Sequence, residues 1–178
     1  IKSKNCIFYD LAENKKYSKY AFLNNKKLNI DEFALRMYTS ELYGIINNYL
    51  RKNEVGTFTE DQIKSWIYCL HSALSNTNID KNGTIIEVQD GTYVYRGIRK
   101  FKFPPEIGIG SKFYFKEFYS TTKKKSVAKG FALCDENKGT IMKILIKNNG
   151  TNNHLHYCYY IDNISEYGGE EEVLISSH

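Results

Sequence analysis

The sequence predicts an α+β domain, a helical first part followed by a strand-rich second part. Three observations predict it. Apolar residues recur at helical spacing over the first 80 or so positions. After Asn82-Gly83, short β-branched and aromatic runs alternate with turn residues. The helices come first and the strands later, and no Gly-rich phosphate loop joins them, which disfavours a doubly wound sheet or a P-loop. With 178 residues the chain has the length of one domain with its own core. Residues 1–80 read as its helical portion and 84–178 as its β-rich core.

The elements follow in order. The segment from Phe8 to Leu23 reads as a first helix. Asn29 opens a second, with Glu32 three residues on as a capping box. Leu35, Tyr38, Leu42, Ile45 and Tyr49 then form its apolar stripe. Thr59 and Gln62 make another capping box, and Ile63, Trp66, Ile67, Leu70 and Leu74 form the stripe behind it. Thr92-Tyr93-Val94-Tyr95 reads as a strand. Pro104-Pro105, Gly108 and Gly110 mark a loop. Lys112–Phe115 and Glu117–Ser120 read as strand. Thr122 is placed to cap a short helix carrying Val127, Ala128 and Phe131. Strands are expected at Thr140–Ile146, Tyr157–Ile161 and Glu172–Ile175, with a polar loop at Asn148–Asn153. No internal repeat is present.

Composition excludes several classes. Hydrophobic residues make up 42% and charged residues 25%, as in soluble globular domains and unlike disordered chains. No stretch has the length and apolarity of a membrane span. The net charge of +5 could help draw in an anionic ligand, but a solvated surface is the plainer explanation. The run Lys123-Lys124-Lys125 is too short to indicate nucleic acid. Cys6, Cys69, Cys134 and Cys158 are far apart, so no zinc site is expected, and the redox compartment stays open. Asn82, Asn149 and Asn163 each begin a glycosylation triplet, of the kind that arises by chance in an Asn-rich chain. The first residue is Ile1, so the chain reads as a trimmed or processed fragment.

Three segments carry chemistry. In Tyr93-Val94-Tyr95-Arg96-Gly97, an arginine at a strand end offers a planar fork of donors to a phosphate, and the glycine lets a ligand reach the backbone. Alone, such an arginine is more often an ion-paired surface residue. In Phe118-Tyr119-Ser120-Thr121-Thr122, hydroxyls at a strand end can orient a carboxylate or bond a ribose; helix capping is the plainer explanation. In Tyr167-Gly168-Gly169-Glu170-Glu171-Glu172, strand alternation puts Glu170 and Glu172 on one face and Glu171 on the other. Adjacent like charges raise a carboxyl pKa, as a catalytic pair requires, and Gly168-Gly169 gives the preceding loop freedom to move. A bare acidic run is nonetheless usually a solvated strand end.

The three together, in the order Arg96, Ser120-Thr121-Thr122, Glu170-x-Glu172, resemble the Arg-Ser-Glu class of mono-ADP-ribosyltransferases. That class includes clostridial-type toxins and vertebrate arginine-specific ecto-enzymes. Ala34-Leu35-Arg36-Met37-Tyr38-Thr39, Tyr43, Ile46-Asn47 and Leu50-Arg51 look like the family's first conserved helix, and Gly110, Phe118 and Phe131 sit at family-like spacing. The resemblance runs from about Asp31 to the C-terminus. It implies two roughly perpendicular β-sheets with a helical N-terminal portion and an NAD cleft. Residue by residue, it implies that Arg96 holds the NAD diphosphate, Gly97 bonds the nicotinamide amide and Phe131 packs on its ring. Tyr38 and Tyr43 match tyrosines lining the cleft. Ser120 would fix Glu172, Glu172 would bond the ribose and stabilise its developing positive charge, and Glu170 would serve the acceptor. Tyr167 resembles an aromatic that contacts the protein substrate. NAD is then the co-substrate and no metal is needed. The implied partner is a target protein with an exposed arginine, actin being one candidate, and not nucleic acid.

Two departures stand out. The middle motif is Ser-Thr-Thr where the family commonly has Ser-Thr-Ser. A second phosphate-binding arginine found after the Phe131 position in some relatives is replaced by Cys134, with Lys129 before it. None of His71, His154, His156 and His178 fits the Arg96 strand, which disfavours the polymerase-like branch. Two other functions use the same residues: an NAD glycohydrolase, with water as acceptor, and a degenerate domain that only binds a partner. The resemblance implies a secreted or translocated protein, or an extracellular ecto-enzyme.

Overall fold

The computed structural model describes residues 30–75, 86–133, 139–147 and 158–176. The expected helix over Phe8–Leu23, the Asn29 cap and the Asn148–Asn153 loop lie outside these residues. The chain divides into two compact units. One comprises Ile1–Ile79 with Ile164–Glu166, the other Asp80–Asn163 with Tyr167–His178.

In the first unit, α1 (Ile30–Met37) runs into a π-helical turn (Tyr38–Leu42), α2 (Tyr43–Lys52) and then α3 (Glu60–Ser75). The sequence predicts one helix across the first three. The backbone instead kinks at Ser40, whose ψ is −174°. The Ser40 hydroxyl sustains the kink by donating to the Met37 carbonyl at 2.6 Å and accepting the Leu42 N–H at 3.3 Å. Beyond it the inward face differs from the expected stripe. Ile46 and Asn47 are buried where the unbroken stripe expected Ile45 and Tyr49. The second capping box forms as expected: Thr59 N–H donates to Gln62 Oε1 at 2.8 Å, and Gln62 N–H to Thr59 Oγ1 at 3.3 Å. α3 buries Ile63, Trp66, Leu70, Ala73 and Leu74, and Trp66 Nε1 donates to the Ala34 carbonyl at 3.2 Å. Residues 164–166 join this unit through Glu166. Its N–H donates to Thr39 Oγ1 at 2.9 Å, and its carboxylate lies 3.1 Å from Arg36 Nη2.

The second unit holds β1 (Ile86–Glu87), β2 (Tyr93–Ile98), β3 (Tyr119–Thr122), α4 (Lys125–Leu133), β4 (Thr140–Leu145), β5 (Cys158–Tyr160) and β6 (Glu172–Ile175). All pairings are antiparallel, in the order β1-β5-β6-β3-β2-β4. β2 and β4 pair over six residues, and β3 and β6 over four. Between these two groups β2 meets β3 only at Tyr95↔Thr122. The strands are one connected ladder whose two parts share a single residue pair, and the site lies at that junction. Val88, Val94, Ile146, Cys158 and Val173 form the core on the sheet. Burial pushes the Cys158 thiol up to about 12, so it is a packed, inert cysteine.

One expected strand is absent. Lys112–Phe115 has no ladder partner among the described residues. Its rings join an aromatic chain instead: Phe101 meets Phe103, Phe103 meets Phe113, Phe113 meets Phe115, and Phe115 stacks on Tyr119 at 3.9 Å. Aromatic content produced the strand signal, and ring contacts within a loop consume it. Thr122 also differs from expectation. It ends β3, and its oxygen accepts the Lys124 N–H at 2.9 Å, one residue before α4 begins. No described helix is long and apolar enough to cross a membrane.

Candidate active site

Ser120 is the hub of the site. Its hydroxyl donates to Glu172 Oε1 at 2.7 Å, and its carbonyl accepts Arg96 Nη1 at 2.8 Å. The register explains the first bond. Thr122 lies opposite Glu172 and Ser120 opposite Leu174, so Ser120 and Glu172 are diagonal neighbours on one face, within reach of a long side chain. The second bond exists because β2 and β3 part after Tyr95↔Thr122, and the guanidinium spans the gap that ladder bonds leave.

Arg96 is fixed from two sides. Its guanidinium lies 3.8 Å over the Tyr119 ring, which itself stacks on Phe115. Burial raises the Tyr119 pKa despite the adjacent positive charge, so the phenol stays neutral. The Arg96 Nε donor is buried without a hydrogen-bond partner among the described residues. An unpaired buried donor on a guanidinium already braced by another bond suits an incoming phosphate or carboxylate.

Glu172 is buried, at 6% exposure, with its N–H donating to Asp162 Oδ1 at 3.3 Å and its carbonyl accepting the Ile161 N–H at 3.0 Å. A carboxylate so enclosed and bonded is held in one position. Glu170 is half-buried. Its pKa is raised, first by desolvation and second by the Asp162 charge. The like charge behind the shift is thus Asp162, not the neighbouring glutamate that the sequence suggests.

Strand alternation does not extend back through Glu171. That residue has φ of 52°, in the left-handed region uncommon for non-glycine residues, and the strand begins only at Glu172. Glu171 is also engaged and not idle: its carboxylate lies 3.4 Å from Lys124 Nζ, and its carbonyl accepts the Lys123 N–H at 3.1 Å. The expected freedom at Gly168-Gly169 is likewise limited. Gly169, at φ of 94°, has its N–H bonded to Asp162 and its carbonyl to Lys124.

The remaining residues fall in three places. Gly97 packs against α4: a Cβ there would stand 1.9 Å from the Ala128 carbonyl oxygen and 2.8 Å from the Ala132 nitrogen. Phe131 on α4 is half-exposed, and its carbonyl accepts Arg99 Nε at 3.2 Å. Tyr167 is an exposed loop residue of the same unit. In the helical unit Tyr38 is buried, with its hydroxyl and the Asn47 amide bonded at 3.1 Å, whereas Tyr43 is exposed. Sequence reasoning missed Asp162, Tyr119 and Lys124. Tyr119 adjoins Ser120 and Lys124 lies in the basic run, but an Asp-Asn turn after a strand carries no signal of its own. Among the described residues, no group of three or more His, Cys, Asp or Glu is placed to hold a metal.

An arginine with an unpaired donor stands braced beside a buried and oriented glutamate, an arrangement suited to an anionic group. The comparisons agree on the class. No curated protein sequence matches the chain. Among solved structures, ADP-ribosyltransferase Vis from Vibrio splendidus, in complex with an inhibitor, superposes with TM-score 0.63 at 21% identity, over 99% of this chain and 76% of that one. Exoenzyme S from Pseudomonas aeruginosa, in complex with human 14-3-3 protein beta and bound to carba-NAD, gives 0.62 at 17%, over 96% and 75%. A mutant of the eukaryotic mono-ADP-ribosyltransferase ART2.2 in complex with NAD gives 0.57 at 23%, over 96% and 73%. Residues 13–178 match the profile of NAD:arginine ADP-ribosyltransferase, and the chain belongs to that family.

Proposed function

We propose that this chain transfers ADP-ribose from NAD to an arginine side chain of a target protein, releasing nicotinamide. The observation that carries the reading is Ser120 holding Glu172 by its hydroxyl and Arg96 by its carbonyl. Arg96 binds the NAD diphosphate, using the donor that has no partner. The Gly97 backbone and the Phe131 ring serve the nicotinamide end. Tyr43, exposed, is accessible to a ligand, whereas the Tyr38 ring is enclosed in the helical unit.

The N-glycosidic bond breaks and nicotinamide leaves with the bonding electrons. Positive charge builds on the ribose, and Glu172, already oriented, stabilises it without reorganising. An arginine guanidinium nitrogen forms the new bond to the ribose C1 carbon. Glu170 binds the guanidinium and takes the proton it sheds, a role that its raised pKa favours. Tyr167, exposed, is offered to the target protein. A structure of Vis has agmatine bound, an arginine-like acceptor, which supports the choice of acceptor here. The relatives include toxins, and secretion or translocation into another cell fits such a target, with actin as one candidate.

The test is incubation with NAD, with and without agmatine. Modified agmatine together with nicotinamide is the expected result. Nicotinamide release with no modified agmatine at any acceptor concentration supports the glycohydrolase instead, and no release of nicotinamide at all supports a degenerate domain.

A further inference from the structure

The Gly169 peptide, immediately before Glu170, is gripped at both ends. Its N–H donates to both oxygens of Asp162, at 3.2 and 3.0 Å. Its carbonyl accepts Lys124 Nζ at 2.8 Å. Asp162 comes from the turn after β5 and Lys124 from the start of α4, so elements distant in sequence close on one peptide. Each clamp residue has a second grip on the same segment. Asp162 also accepts the Glu172 N–H at 3.3 Å, and Lys124 also pairs with Glu171 at 3.4 Å. Thr122 Oγ1 donates to the Glu170 carbonyl between them. Glu170 is therefore bracketed by two left-handed residues, Gly169 and Glu171, each tied down. Without those ties the backbone around Glu170 would have several accessible conformations and its side chain no fixed direction.

We propose that Asp162 and Lys124 form a clamp on the Gly169 peptide that aims Glu170 at the acceptor and so sets the partition of ADP-ribose between arginine and water. This rests on the reading of Glu170 as the acceptor's partner. Asp162 and Lys124 are positioning residues: they act through Glu170. Asp162 has an electrostatic effect as well, since its charge contributes to the raised pKa of Glu170. The other ionisable groups in this neighbourhood are Tyr160, whose hydroxyl donates to Asp162 at 3.4 Å, Lys123 over the Tyr160 ring, Lys124 and Glu171. Of these, Tyr160 has its own pKa raised by burial and stays neutral near pH 7.

The test measures agmatine modification and nicotinamide release in parallel, as a function of pH, for the wild type, Asp162→Asn, Lys124→Met and Lys124→Arg. In Asp162→Asn the Oδ1 position can still accept both N–H groups, so the variant removes the shorter Gly169 contact, through Oδ2, along with the charge that strengthens all of them. The ratio of transfer to hydrolysis is expected to fall about 10-fold or more, the range for a lost hydrogen bond to a charged group. The acid limb of transfer is expected to move to lower pH, because a repelling charge is gone. Lys124→Met is expected to lower the ratio in the same direction, and Lys124→Arg to restore it. Lys124 is partly exposed, so this second pair of variants keeps the test informative if Asp162→Asn does not fold. A ratio within twofold of wild type in folded Asp162→Asn, with an unmoved acid limb, overturns the clamp, as does an unchanged ratio in Lys124→Met. A wild type that releases nicotinamide but modifies no agmatine overturns the transfer reading, and the clamp's role with it.

Discussion

Ser120→Ala isolates one bond of the site. It deletes the hydroxyl that donates to Glu172 at 2.7 Å but keeps the carbonyl that anchors Arg96. β3 retains its pairing with β6, and the side chain removed is small. The effect should therefore appear in catalysis and not in folding. Glu172 is only 6% exposed, so water cannot readily replace the lost donor. A hydrogen bond to a charged group contributes about 1.5–3 kcal/mol. If that orientation is needed in the transition state, kcat/KM for nicotinamide release should fall about 10- to 150-fold, at roughly one decade per 1.4 kcal/mol. Fluorescence of an etheno-NAD substrate measures it, with Tm recorded alongside. A variant that keeps wild-type Tm and loses less than twofold in kcat/KM would refute the reasoning, because Ser120 would then hold nothing that the reaction uses.

Other expectations follow from single contacts. Gly97→Ala forces a Cβ into the α4 backbone at 1.9 Å from Ala128 oxygen. At about 3 kcal/mol for overpacking against atoms that cannot rotate away, Tm should drop roughly 6–12 °C by thermal melt. Thr59→Ala removes one arm of the α3 capping box. It should cost about 1 kcal/mol, or roughly 2–4 °C in Tm, with activity unchanged. Glu170 has a pKa raised by desolvation and by Asp162, so it ionises at a higher pH than an ordinary glutamate. Agmatine modification should rise with pH through that higher value, and the limb should vanish in Glu170→Gln. The sign for stability is opposite: a raised carboxyl pKa favours the fold below the unfolded value and loses that contribution as pH rises through the folded one. Glu170→Gln should accordingly melt no lower than wild type at neutral pH.

Local chemistry was readable where it depends on near neighbours. The Thr59–Gln62 box and the Ile63, Trp66, Leu70 stripe need only helical spacing, and both form. The α+β class was legible from the change in local pattern along the chain, whereas Arg96, Ser120 and Glu172 stood out only together, through the family resemblance of their order. Features set by distant partners were not. The Ser40 kink shifts a buried face that periodicity alone extends without a break. Lys112–Phe115 has strand-like residues but spends them on rings from Phe103 to Tyr119. Alternation cannot foresee that Glu171 turns left-handed, because Lys123 and Lys124 of the preceding helix start hold it there. Asp162 gathers two N–H groups from seven and ten residues downstream, and only the folded loop reveals it.

The division of labour between two glutamates is the centre of the account, and one paired measurement tests it. Nicotinamide release and agmatine modification are followed together in Glu172→Gln and Glu170→Gln. Loss of the carboxylate charge beside the ribose should reduce both rates by about 100-fold or more in Glu172→Gln. Glu170→Gln should keep nicotinamide release within a few-fold, about 1 kcal/mol, while agmatine modification collapses. Release that survives in Glu172→Gln, or transfer that survives in Glu170→Gln, would contradict the assignment.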